Sequence, residues 1–105
     1  MTTYQYIEDL EEQIIEWGYD KTILPNPDKM AQWTKTEEEV MELRDAILTN
    51  DRQEARDAIG DIVVTLIMQC QAWGFSLGEC IDSAYQEIRY RNGQMVDGVF
   101  VKNAS

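Results

Sequence analysis

Apolar residues recur at three- and four-residue steps through Tyr4, Ile7, Leu10, Ile14 and Trp17, a spacing that places them on one face of a helix, and Gly18 follows as a stop signal. A first helix over residues 3–17 is therefore expected. Periodicity lapses between Tyr19 and Asn26. Asn26 then offers an N-cap side chain and Pro27 the fixed φ of a first helical position, so the pattern predicts a second helix over 27–49. Its apolar stripe is Trp33, Val40, Leu43 and Ile47, while Lys35, Glu38, Glu39 and Glu42 fall on the other side at about 100° per residue.

Thr49-Asn50-Asp51 is a polar turn, with Asn50 suited to a left-handed C-terminal position and Asp51 to capping a third helix over 52–73. So short a connection makes these two helices antiparallel neighbours. The third helix is ~33 Å long and is apolar almost all round at Ile62-Val63-Val64-Thr65-Leu66-Ile67-Met68, which marks it as central. Gly74 ends it. Ser76 and Glu79 form a capping box for a fourth helix over 76–92, carrying Leu77, Cys80, Ile81, Ala84, Tyr85 and Ile88 and closed by Gly93. The tail holds Val96, Val99, Phe100 and Val101 around Gly98, compatible with a short extended piece or turn. The expected fold class is all-α: one domain over 1–105, a four-helix, bundle-like subunit.

Composition adds an expectation of self-association. At 105 residues a chain buries only about 60–65% of its unfolded surface, and three short helices cannot cover a fully apolar one, so a homodimer or homotetramer is expected. The net charge of −11, from 9 Lys+Arg against 20 Asp+Glu, argues against nucleic acid, whose binding relies on basic side chains displacing counterions. Histidine is absent. That excludes imidazole acid/base chemistry and histidine metal sites, leaving oxygen ligands for any metal. Cys70 and Cys80 lie in apolar stretches without a C-x-x-C pairing and read as small buried hydrophobes of a reducing compartment. Met1–Leu10 carries two acids and no base, and no run of 18 uncharged apolar residues occurs, so the expectation is a cytoplasmic protein without a membrane partner.

The candidate chemistry lies in carboxylates. Nine acids fall between Glu37 and Asp61, against three arginines. On the second helix alone these read first as ordinary solvated surface. On the third, Asp57 and Asp61 sit one turn apart on a stripe that continues through Val64 and Met68, along an apolar face. Like charges there repel and call for a compensating cation or hydrogen-bond donor. Carboxylates three or four residues apart have Cβ atoms ~5–6 Å apart, close enough to converge on magnesium, and antiparallel packing would bring Glu39 and Glu42 opposite Asp57 and Asp61.

These residues resemble the MazG-like all-α nucleoside triphosphate pyrophosphohydrolases. Lys35-Thr36-Glu37-Glu38-Glu39-Val40-Met41-Glu42-Leu43 is similar to the family's K-L-x-E-E-x-x-E-L, and Asp57-Ala58-Ile59-Gly60-Asp61-Ile62 to its E-E-x-G-D-hydrophobic. Trp17-Gly18 and the basic stretch Ile88-Arg89-Tyr90-Arg91 also match. The resemblance implies Mg2+ held by Glu39, Glu42 and Asp61, hydrolysis of a (deoxy)nucleoside triphosphate to monophosphate and pyrophosphate, and a role in nucleotide-pool control or house-cleaning. The family's E-x-x-D would place glutamate at 58, where this chain has Ala58; Asp57 is the expected substitute, with Glu54 a further option. Glu38 is the candidate for orienting the attacking water. Lys35, Arg89 and Arg91 are candidates for phosphate contact, although each arginine suits a helix C-terminus equally well. Trp33 could stack on a base or belong to the core. A non-catalytic acidic interaction protein, such as a nucleic-acid mimic, is the alternative; a calcium sensor lacks its D-x-[DN]-x-[DN]-G loop.

Overall fold

The structure, a computed structural model, describes residues 2–104; the side chain of Tyr4, part of the first expected stripe, lies outside the described residues. The elements run α1 (Thr3–Asp20), α2 (Lys29–Leu48), α3 (Arg52–Trp73), α4 (Leu77–Ile88), β1 (Gly93–Val96) and β2 (Val99–Lys102). Local signals set most boundaries. Asn50 turns the chain at φ 52°, and Asp51 then caps α3 by accepting the Glu54 N–H at 3.0 Å. Gly74 ends α3 in the left-handed region, φ 80°, and Ser76 caps α4 through the Glu79 N–H at 3.1 Å.

Three boundaries differ from the sequence expectation. First, α1 runs through Gly18 to Asp20, because this glycine provides room rather than a stop. A Cβ there would lie 2.9 Å from Met68 Sδ and 3.0 Å from Leu24 Cδ1, so its absence lets α1 lie close against α3. Second, α2 begins after Asp28, whose carboxylate accepts the Ala31 N–H at 2.8 Å, and Asn26-Pro27 belongs to the preceding loop. Third, α4 stops at Ile88, and Gly93–Val96 pairs antiparallel with Val99–Lys102. Asp97 and Gly98 join the strands at φ 49° and 84°, the positive values that a two-residue hairpin turn needs. The all-α expectation is thus corrected to four helices with a short hairpin.

Helix α3 is the axis of the molecule, packing along α2 and against α1 and α4. The core consists of Leu24, Ile67 and Met68 with Ile14, Ile15, Ile23, Val63 and Leu77 around them. Glu11 of α1 accepts the Leu77 N–H at 2.8 Å, so an acid satisfies a free amide at the positive end of α4. Cys70 is buried but Cys80 is exposed, a correction to the reading of both as buried. Their thiols are free of a disulfide and in hydrogen-bond contact at 3.8 Å, and burial together with Cys80 pushes the Cys70 thiol up to about 11. Among the described residues no single helix is long and apolar enough to cross a membrane.

The apolar stripe of α2 does not form its inner face. The buried residues of α2 are Thr36, Glu39 and Ala46, whereas Trp33, Val40 and Ile47 are 50%, 46% and 67% exposed. Placed at 100° per residue, those three lie about a quarter turn round from the buried ones. None of α4 is buried, although Ile81, Tyr85 and Ile88 are apolar. The accessible surface of 8316 Å² compares with about 6,100 Å² for a folded monomer of this mass. The radius of gyration, 16.1 Å, likewise exceeds the ~13 Å of a compact chain this long.

Candidate metal centre

The seam between α2 and α3 is pinned by two hydroxyls. Thr36 Oγ1 and Thr65 Oγ1 lie 2.8 Å apart, both residues are buried, and each hydroxyl also reaches a carbonyl of its own helix, Gln32 at 2.9 Å and Ile62 at 2.7 Å. This contact sets the antiparallel register. One turn further along each helix come Glu39 and Asp61, and Glu42 follows one turn beyond Glu39. One carboxylate oxygen from each of the three lies within 4.8 Å of the other two.

Glu39 is the unusual member. Only 7% of it is exposed; its Oε1 lies 3.5 Å from Lys35 Nζ, and its Oε2 is buried with no hydrogen-bond partner among the described residues. Burial pushes the Glu39 carboxyl above its ordinary value; Glu42 adds to the shift, and Lys35 opposes it. A buried carboxylate oxygen without a donor costs free energy, and two more carboxylates beside it increase that cost. A divalent cation relieves all three at once, and an all-oxygen donor set suits Mg2+. The residues present therefore fit the ion that the sequence pattern implies.

The remaining sequence candidates distribute as follows. Lys35 lies at the cluster, bound to Glu38 at 3.2 Å, and Glu38 together with Glu39 raises its ammonium pKa. Glu38 is itself exposed. Asp57 is exposed and accepts from Gln53 Nε2 at 3.0 Å, outside the group of three, while Ala58 is 1% exposed within the helical seam. A cavity of about 500 Å³ opens directly on Glu39 and Asp61, lined also by Lys35, Gln32, Trp17 and Met68. Trp33 does not line it; it borders a separate hollow with Glu37, Val40 and Met41. Arg89 lies over Tyr85 and Tyr90, at 5.6 and 4.6 Å, and Arg91 reaches Glu87 at 3.9 Å, both outside this cavity. The aromatic side chain beside the carboxylates is Trp17, whose stripe position in α1 gave no hint of it. Gln32 carried no sequence signal.

The sequence model of the MazG nucleotide pyrophosphohydrolase domain matches residues 27–96. The chain belongs to this family. Curated proteins and solved structures give no match. The matched span contains α2, α3, α4 and β1 of this MazG domain, and so the whole carboxylate cluster.

Replacing Glu39 by Gln removes the buried charge and its repulsion with Glu42 and Asp61. The metal-free Glu39→Gln protein is expected to gain about 1 kcal/mol in chemical denaturation and to lose the stabilisation that Mg2+ gives the parent; a less stable apo-protein with intact Mg2+ stabilisation would contradict the assignment. Position 58 is one turn before Asp61 on the α2-facing side, whereas Asp57 is ~100° further round. Ala58→Glu is therefore expected to bind Mg2+ more tightly by calorimetry and to be less stable without metal. Unchanged or weaker binding would mean that the native chain already has a complete ligand set.

Proposed function

We propose that this MazG domain hydrolyses (deoxy)nucleoside triphosphates to the monophosphate and pyrophosphate in a Mg2+-dependent reaction. The observation that carries the reading is Glu39 Oε2, a buried, unpartnered oxygen within a three-carboxylate cluster on the wall of a cavity. In the reaction a water oxygen bonds to the α-phosphorus, and the bond from that phosphorus to the α,β-bridging oxygen breaks, so pyrophosphate leaves. Glu39, Glu42 and Asp61 would hold the cation, which when bound supplies charge neutralisation at phosphate oxygens and activation of water. Lys35, at the rim, neutralises further phosphate charge. Glu38, fixed by Lys35, orients the water and receives its proton. A chain of charge −11 repels a free triphosphate, so the substrate enters as its magnesium complex. An acidic decoy of nucleic acid has no use for a carboxylate kept from solvent.

The working form we propose is a homodimer or homotetramer. Trp33, Val40 and Ile47 on α2, with Ile59, Leu66 and Trp73 on α3, are exposed in the single chain, and the surface excess of roughly 2,200 Å² over a folded monomer matches what an obligate interface removes. The proposed setting is cytoplasmic nucleotide-pool control or house-cleaning.

Pyrophosphate release from a panel of ribo- and deoxyribonucleoside triphosphates, with and without Mg2+, tests the reaction. Release is expected only with the metal and is expected to fall at least a hundredfold in Asp61→Asn; full turnover in that variant would place the site elsewhere. Sedimentation is expected to show a species heavier than 12.2 kDa, shifted toward monomer by Ile47→Asp, and a stable monomeric parent at micromolar concentration would overturn the assembly.

A further inference from the structure

We infer that the cavity beside Glu39 and Asp61 seats the nucleobase and that Gln32 reads the base's hydrogen-bonding edge, making it the residue that sets base selectivity. The inference rests on the proposed triphosphate chemistry. At about 500 Å³ the cavity falls within the ordinary size of a small-molecule site. Lys35, Glu39 and Asp61 supply its charge; Trp17, Ile23, Val64 and Met68 supply apolar wall. A nucleoside triphosphate has the same division, between a charged phosphate chain and a flat base that is apolar on its faces and polar only at its edge.

Gln32 is placed for that edge. It lies seven residues before Glu39, two turns along the same side of α2 and so ~10 Å away, the scale of a nucleoside between base edge and α-phosphate. Its backbone is committed: the carbonyl lies 2.9 Å from Thr36 Oγ1, and the N–H donates to the Asp28 carbonyl at 3.0 Å. Gln32 is half-buried and lines the cavity, and its side-chain amide forms no hydrogen bond among the described residues. An amide offers one acceptor and two donors side by side. Adenine, guanine, cytosine and uracil each present an adjacent donor and acceptor on the pairing edge, so a glutamine free to rotate suits all four. Trp17, 43% exposed, gives a π-face on which any base stacks. The native cavity is thus tolerant of base identity, and its tolerance comes from the amide.

A carboxylate at position 32 would accept but not donate. Among the four bases guanine alone presents two neighbouring donors, N1–H and the N2 amine, so Gln32→Glu should narrow selectivity toward guanine. The test measures kcat/KM for ATP, GTP, CTP and UTP with Mg2+ in the native chain, Gln32→Glu and Gln32→Leu, all first checked for native helicity by circular dichroism. The native chain is expected to handle the four within about tenfold. In Gln32→Glu the ratio of GTP to each of the others is expected to rise about tenfold, within the discrimination a bidentate pair supplies, whereas Gln32→Leu raises KM for all four. Unchanged ratios in Gln32→Glu together with unchanged KM in Gln32→Leu would overturn the inference. If the native chain releases pyrophosphate from none of them, the hydrolysis reading fails by itself. Titration with α,β-methylene triphosphates then decides the base seat: a guanine shift in Kd for Gln32→Glu supports it, and identical ratios overturn it.

Discussion

The seam between α2 and α3 has a polar interior, and the rest of the molecule depends on how that interior is satisfied. Two buried threonine hydroxyls meet at 2.8 Å, and beside them one carboxylate oxygen is left without a partner. A shift of register would separate the two hydroxyls and break their contact, and in the register that keeps it Glu39, Glu42 and Asp61 converge. A purely aliphatic seam would pack as well in several registers. The polar pair thus gives the site positional definition, and the unmatched carboxylate gives it a demand for a cation. Both come from the same few residues, which is why stability of the bare chain and competence of the site pull against each other at Glu39.

That seam also explains why so much oil faces outward. A helix has a limited circumference, and in α2 the side toward α3 is taken by Thr36, Glu39 and Ala46. The aliphatic and aromatic residues are displaced about a quarter turn and stand exposed, as do Ile81, Tyr85 and Ile88 along α4. The core that remains, around Leu24, Ile67 and Met68, is small for 105 residues. A chain whose inner face is partly polar has less apolar burial of its own, and the self-association proposed above would supply the remainder.

Much of this was legible in the sequence where a single residue type determines a local conformation. Asn50, Asp51, Gly74 and Ser76 each sit where their side chain or lack of one requires, so both ends of α3 and the start of α4 followed directly. The misreadings came from residues with two uses. Gly18 reads as a helix stop but serves to clear Met68 and Leu24, which only tertiary packing reveals. Asn26-Pro27 looks like a helix start, yet Asp28 does the capping. The pair Asp97-Gly98 did carry a hairpin signal, one that the flanking β-branched valines strengthen, and it went unread. Glu39, Glu42 and Asp61 could be named because carboxylate spacing and the motif agree, but the burial of Glu39 could not, since amphipathic patterning assigns an acid to the wet face. Gln32 stayed hidden, and Trp17, although Trp17-Gly18 matched the family pattern, was not placed at the site, for a different reason: they reach the cavity from α1 and from the turns of α2 ahead of the motif, and a wall built by separate elements leaves no local pattern.

The alanine at position 58 is best understood through the same seam. Ala58 and Ala46 are 1% and 2% exposed, and small residues on two facing helices allow the backbones to approach closely. Close approach shortens the distance that Glu39 and Glu42 must span to meet Asp61. A glutamate at 58 would add a ligand but also bulk and a fourth negative charge in a place where three carboxylates are faced by one lysine, Lys35. Mg2+ takes six oxygens, commonly only one or two from carboxylates and the rest from water and substrate phosphates. Three carboxylates would therefore suffice to seat one ion on the proposed reading, and water or the phosphates of a substrate would supply the remaining oxygens. On this reasoning the departure from the motif exchanges metal affinity in the empty protein for a tighter seam, and leaves metal retention more dependent on the arriving substrate than it would be with a fourth acid.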